Sequence, residues 1–362
     1  MNRMTIYIVA GLLMVGLVAY LLFRLKQPSS TANYFISTQS ESNERIQNLG
    51  LDKASEDASY LLDTTKLSFP NLKRETANAA YQADPDKDWV IDLIPVNGEN
   101  FKKDDISKMF DYDWRSNFES TIYGFSIEEN RWTFADAGDA PDLYSKLQVA
   151  IDVQDVFNDE KPNYDPKKLE RYLIELEKRI KKYPAKIRLA HQESIEKAIQ
   201  KAKVLVQLYH EFNQDAIIVL QSDKQFNGIK MWDALQSVGL NWGDGDLFHW
   251  SNHKDYGDDQ HFSVWTSTEP GYFLPEEVKN GNMNPNDLVF GFSVPRSADP
   301  QHVFELMFKA VEYCQTRLGG KILDKNRQPF NLEKERKEMK ELIGKMESKG
   351  IKAGADKALR MF

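Results

Sequence analysis

The sequence predicts an α+β protein: an N-terminal transmembrane helix and linker, then two related antiparallel sheet units of split β-α-β type with helices on one face, and a helical hairpin between them. Three observations predict this. An uncharged apolar run opens the chain, short alternating strand segments cluster in two places, and the order strand, helix, three strands, helix occurs twice.

The bulk properties narrow the function classes. At 362 residues the chain is long enough for two ordinary domains, and 41% hydrophobic and 12% aromatic residues supply material for their cores. The net charge of −8 argues against a nucleic-acid binder, which needs a basic face. A single cysteine, Cys314, excludes an internal disulfide framework.

Residues 4–23, MTIYIVAGLLMVGLVAYLLF, carry no charge. A helix of that length spans about 30 Å, one hydrocarbon core. A cleaved signal peptide would have a shorter apolar core and a small-residue cleavage site, and the run ends instead in Phe23-Arg24-Leu25-Lys26, so it reads as a retained anchor. The flanking charges nearly balance, with Arg3 and the terminal amine against Arg24 and Lys26. A tail this short is easily translocated, which places the body on the cytoplasmic side. Residues 24–86 lack a sustained apolar period and read as a flexible polar linker with a coil reach of roughly 40–50 Å.

The first unit is expected at 87–213. Residues 89–96 alternate as a strand, 104–110 give a short helix, 120–127 and 131–135 form a hairpin, and 146–153 is a further strand. Residues 169–183 and 186–212 read as two helices separated at Pro184, an antiparallel helical hairpin. Their packing stripes are Leu169, Leu173, Leu176 and Ile180, then Ile195, Ala198, Ile199, Ala202, Val206 and Tyr209.

The second unit is expected at 214–346. Residues 216–220, AIIVL, form a central strand, and 228–238 an amphipathic helix with Ile229, Trp232 and Leu235 on its buried face. Residues 246–251 and 261–268 are paired strands and 287–294 is another. The next helix has an Asp299 cap, Pro300 at its first position and Gly319-Gly320 at its end. Its stripe of Val303, Phe304, Met307, Val311, Cys314 and Leu318 makes Cys314 a core thiol. Residues 321–324 form a short strand, 332–346 a charged helix, and 347–362 a loose tail. The two units align in pattern, with 119–138 set against 245–271 and 146–153 against 287–294.

The window 241–262, NWGDGDLFHWSNHKDYGDDQHF, places His249, His253 and His261 among Asp244, Asp246, Asp255, Asp258 and Asp259. Such density invites a metal site or an acid/base pair. The surrounding glycines, asparagines and aspartates are turn formers, and no HExxH, EF-hand, zinc, P-loop or GxSxG spacing occurs. The window therefore reads as a hairpin with a solvated acidic tip, and no catalytic residue, metal or cofactor is assigned.

Ordered segments of the second unit resemble the C-terminal FtsZ-binding domain family of the bacterial cell-division protein ZipA, over about 215–345. These are GLNWGDGDLFH at 239–249, Phe262-Ser263-Val264, PGYF at 270–273 with Pro275, Val294-Pro295, and LGGKILD at 318–324. The resemblance implies a scaffold and not an enzyme. It implies a periplasmic N-terminus, one helix across the inner membrane, and a cytoplasmic domain that takes the FtsZ C-terminal peptide, or another division protein, on the open face of its sheet at the division site. An amphipathic peptide needs such a shallow apolar face. The positions carried over are Ile217, Val219, Gln221, Gly245, Ser267 and Gly291. The family places large apolar contacts at the positions of Gly245, Ser267 and Gly291, each worth about 1.5–3 kcal/mol of burial. Trp265, on the same strand face as Ser267, refills part of that gap. Two alternatives stay open: a membrane-tethered adaptor with an unrelated peptide partner, and a metal-dependent enzyme using the histidine-rich hairpin.

Overall fold

The computed structural model describes residues 31–70, 82–96, 98–158, 162–183 and 186–362. The expected membrane helix at 4–23, the start of the linker and Pro184 lie outside them. Among the described residues no helix is long and apolar enough to cross a membrane. The chain forms two compact units. One spans residues 75–211; the other joins the N-terminal segment, which contains helix α1 (Thr31–Asn48), to residues 212–360.

The N-terminal unit runs β1 (Asp88–Pro95), β2 (Phe101–Lys102), α2 (Lys103–Met109), α3 (Tyr112–Asn117), β3 (Thr121–Ser126), β4 (Arg131–Phe134), β5 (Leu143–Asp152), α4 (Val153–Phe157), α5 (Lys167–Ile180), β6 (Ile187–His191) and α6 (Ile195–Phe212). Its sheet order is β4-β3-β5-β1-β6, with every pairing antiparallel. Trp89, Ile91 and Leu93 alternate on one face of β1 and are fully buried, as period-2 patterning requires. Asp111 and Asp152 cap α3 and α4 through backbone N–H groups.

The helical hairpin expected here does not form. Residues 187–191 are a strand, paired antiparallel with β1 from Ile91↔His191 to Pro95↔Ile187. Ile187, Leu189 and His191 alternate with Arg188 and Ala190, so IRLAH fits an edge strand, and the free edge of β1 supplies the hydrogen bonds. That long-range pairing leaves no trace in local helix periodicity. The α5 stripe is also shifted: Leu169, Tyr172 and Leu176 are buried, whereas Leu173 and Ile180 are half-buried.

The C-terminal unit runs β7 (Asp215–Gln221), α7 (Gly228–Ser237), β8 (Asn241–Gly243), β9 (Leu247–Ser251), β10 (Gln260–Trp265), α8 (Pro275–Lys279), β11 (Asp287–Ser293), α9 (Pro300–Leu318), β12 (Lys321–Leu323), α10 (Leu332–Ser348) and α11 (Asp356–Met361). The order is β12-β7-β11-β10-β9-β8, again all antiparallel. Ile218, Leu220, Leu288, Phe290 and Val264 form the buried face with Met231, Trp232, Leu235 and the α9 stripe. Asp299 caps α9 with Pro300 at its first turn, as its sequence predicts. Ile229 is 47% exposed, so the buried face of α7 turns through Met231 and not Ile229. Burial pushes the Cys314 thiol up to about 12, which fits an inert core thiol.

Both sheets place their first strand between a late strand and the last one: β5-β1-β6 and β11-β7-β12. The strand beside β5 is β3, the first of its hairpin, whereas the strand beside β11 is β10, the second of its hairpin. The hairpins therefore do not correspond strand for strand as the pattern alignment suggests.

Two further expectations are corrected. Much of the linker composition is ordered against the C-terminal unit. Ile46, Leu51, Ala58, Leu62 and Leu67 are buried, Trp232 Nε1 donates to the Leu51 carbonyl at 3.0 Å, and Ala58 N donates to the Ser237 carbonyl at 2.8 Å. Arg45 makes a forked pair with Glu276 at 2.7 and 2.6 Å and lies 5.1 Å from the Trp242 ring centroid. Ser55 and Arg317 share Asp233. These anchors are scattered polar and apolar residues without a period, which is why composition reads the stretch as coil. The tail is likewise not loose. Ile351 is fully buried, Gly354 N donates to the Pro295 carbonyl at 2.9 Å, and Tyr256 Oη donates to the Ala353 carbonyl at 2.9 Å.

Candidate functional site

β7 alternates, so Ile217, Val219 and Gln221 face away from the buried side that holds Ile218 and Leu220. Register then sets their neighbours. Ile217 is opposite Gly291, Val219 opposite Val289, and Gln221 opposite Asp287. Across β10, Gly291 meets Ser263 and Val289 meets Trp265. On the far side of β7, Leu323 is opposite Val219. Ile217, Val219, Val289, Gly291 and Trp265 thus form one contiguous apolar patch.

The indole of Trp265 reaches over Gly291 with its six-membered ring. A Cβ built on Gly291 would sit 2.7 Å from Trp265 Cη2 and 3.2 Å from the Ala216 carbonyl oxygen. Glycine at 291 is therefore the condition for the ring to occupy that space. Val219 and Val289 are only 2% and 5% exposed, while Ile217 and Trp265 remain half-buried. The large apolar group absent at 291 is replaced by a large apolar group folded in from 265.

One end of the patch is closed by a polar network. The Asp287 carboxylate accepts hydrogen bonds from Thr266 Oγ1 and Ser267 N, both at 2.8 Å, and from Ser267 Oγ, and it pairs with Arg327 at 2.6 Å. Arg327 also donates to Ser267 Oγ at 3.0 Å and to Gln221 Oε1 at 3.3 Å. Burial pushes the Asp287 carboxyl up, but these hydrogen bonds and the guanidinium outweigh it and hold the group below its ordinary range. Ser267 and Gln221 thus serve the rim through Asp287 and Arg327.

Gly245 does not join the patch. It lies in the tight turn at Asp244–Asp246 with φ +65, exposed, in the left-handed region that side chains rarely adopt. Sequence reasoning missed Val289, Asp287 and Arg327. Val289 could have been found by counting two residues back from Gly291. Arg327 follows β12 and reaches the rim only through the fold.

The histidines disperse into structural roles. His249 is 5% exposed; its Nδ1 is 2.8 Å from Ser263 Oγ and its Nε2 2.7 Å from the Asp244 carbonyl oxygen. His261 is buried, and burial, with a minor contribution from His253, pushes it down to about 4. Asp246 pairs with Arg45 and Asp258 with Arg296. No group of three or more histidines, cysteines or carboxylates that could hold a metal ion occurs among the described residues.

Residues 216–341 match the family described as ZipA, C-terminal FtsZ-binding domain. The match falls on the C-terminal unit. Similar proteins include the cell division protein ZipA of Marinobacter nauticus, 28% identical over 134 residues, covering 36% of this chain and 39% of that protein. The ZipA of Vibrio cholerae is 29% identical over 147 residues, covering 38% of this chain and 49% of its own length. That of Aliivibrio fischeri is 27% identical over 118 residues, covering 32% and 34%. The chain thus spans less than half the length of these relatives, and the likeness falls on the C-terminal unit. The match begins within β7 and ends within α10, so it includes the whole patch and its rim.

Proposed function

We propose that the protein is a membrane-anchored cell-division scaffold whose ZipA-family domain binds the C-terminal peptide of FtsZ on the face built from Ile217, Val219, Trp265 and Gly291. The observation that carries this reading is the match of residues 216–341 to an FtsZ-binding domain family, together with a contiguous apolar patch on that domain's sheet. A sheet face of this kind suits an amphipathic segment, with apolar anchors on the patch and polar groups at the rim. The uncharged run at 4–23 serves as the single inner-membrane anchor, with the N-terminus periplasmic and the body cytoplasmic at the division site. Tethered copies facing a filament that repeats the peptide gain avidity without new contacts. The two units are read as related split β-α-β folds.

The test uses the full chain in nanodiscs and the C-terminal peptide of the same organism's FtsZ. Binding near about 1–100 μM is expected, lost on Ile217→Asp and weakened on Trp265→Ala. A well-folded protein that ignores the peptide would refute this assignment. The Trp265–Gly291 arrangement favours one second reading, an adaptor for a different peptide, because the contact surface at 291 is an indole and not an aliphatic or phenyl side chain. A fluorescent fusion that fails to reach mid-cell would support that alternative.

A further inference from the structure

The N-terminal unit carries its own half-exposed sheet face, with different chemistry. On β3 and β4, Phe125 and Trp132 are registered partners with ring centroids 5.7 Å apart in a T-shaped pair, and both are half-buried. The Lys146 ammonium from β5 sits 4.8 Å from the Trp132 centroid and 5.8 Å from that of Phe125. On β1, Ile94 is half-buried and its registered partner is Arg188, which is exposed. No carboxylate pairs with Lys146 or Arg188 among the described residues. The acidic residue of this face nearest them along β1, Asp92, accepts hydrogen bonds from Gln148 and Gln192 on its two oxygens. The face thus offers an aromatic shelf flanked by two cations whose charge the unit does not answer.

We propose that this face is a second docking site for an amphipathic acidic peptide, and that its occupant is a second copy of the FtsZ C-terminal peptide. The identification of the peptide rests on the function proposed above for the ZipA-family domain. One observation points to a related occupant. The sheets share the arrangement of first strand between a late and a last strand, and each presents a tryptophan on its half-exposed face. The charge of the occupant follows from Lys146 and Arg188. Apolar side chains cover the Phe125–Trp132 shelf, and a carboxylate on the peptide answers the ammonium held over it. The chain then engages two peptides of one filament, and the second event is favoured by the raised local concentration of the first.

The experiment is calorimetric titration of the full chain in nanodiscs with the FtsZ C-terminal peptide. Two equivalents are expected for the native protein. Trp132→Ala with Lys146→Glu leaves one, Ile217→Asp leaves one, and the combination leaves none. Trp132→Phe keeps both equivalents and controls for folding. A peptide whose acidic residues are changed to amides loses at least about tenfold in affinity at the N-terminal face and little at the C-terminal face, where Arg327 is already paired with Asp287. A single equivalent abolished by Ile217→Asp overturns the second site and leaves the function proposed for the ZipA-family domain intact. No binding at all overturns both.

Discussion

Both units lay an aromatic ring on a glycine, but on opposite faces of their sheets. In the N-terminal unit the pair is buried. Tyr144 is fully buried, and a Cβ on Gly124 would fall 2.3 Å from its ring. In the C-terminal unit the pair is Trp265 on Gly291, on the half-exposed face. The same device therefore fills a core in one sheet and covers part of a surface in the other. The remaining surfaces differ accordingly. The N-terminal face keeps a standing aromatic pair under a bare cation, and the C-terminal face is smoothed by an indole and sealed by a neutralised ion pair. A shared strand arrangement leaves the surface chemistry of a sheet face open; register and the choice of glycine position set it.

The largest expected effect comes from displacing the Trp265 ring from Gly291. Gly291→Leu forces the side chain against the indole and the Ala216 carbonyl, and costs about 3 kcal/mol of stability in thermal or urea unfolding. It should also remove the peptide binding proposed for that unit and leave the binding proposed for the N-terminal one unchanged. Next comes the rim. Asp287→Ala removes the acceptor for Thr266, Ser267 and Arg327 and costs about 2 kcal/mol, with the loss moderated because Arg327 can reach solvent.

The two units should also answer pH in opposite senses. The folded Asp287 value lies below its unfolded one, so its contribution is complete above the ordinary range near 3.8 and fades as pH falls through the folded value. In the N-terminal unit, burial, opposed by the Asp84 backbone N–H and reinforced by Asp152, pushes Asp88 up to about 7. Its folded value exceeds its unfolded one, so its contribution is complete below about 3.8 and is lost as pH rises through about 7. Hydrogen exchange by unit, corrected for intrinsic rates, should show the N-terminal unit gaining protection from pH 7.5 to 5, and Asp88→Asn should flatten that slope.

Smaller effects test the ordered linker and the α7 face. Arg45→Ala loses the fork to Glu276 and costs about 1 kcal/mol, with faster proteolysis at residues 39–69 as the readout. Ile229→Ser should change stability by less than about 0.5 kcal/mol, because Ile229 is 47% exposed.

Most of the C-terminal unit was legible before the fold was seen, because its signals are local. Asp299-Pro300 starts a helix, Gly319-Gly320 ends it, and AIIVL and DLVFGFS are strands wherever they pair. The patch was partly legible. Ile217, Val219, Trp265 and Gly291 are brought together, whereas Gly245 is diverted into a left-handed turn. The sequence by itself determined the α+β class, the division into two units, the ends of most elements and the likeness of the second unit to the ZipA C-terminal family. Each follows from periodicity, capping or an ordered motif within one stretch of chain. Only the tertiary structure decided that IRLAH pairs with β1 instead of continuing a helix, that the polar segment before the first unit is docked by Arg45 and Leu51, and that Trp265 lies on Gly291. Those outcomes depend on partners far away along the chain, and the free energy of a long-range contact is absent from the local pattern that a sequence displays.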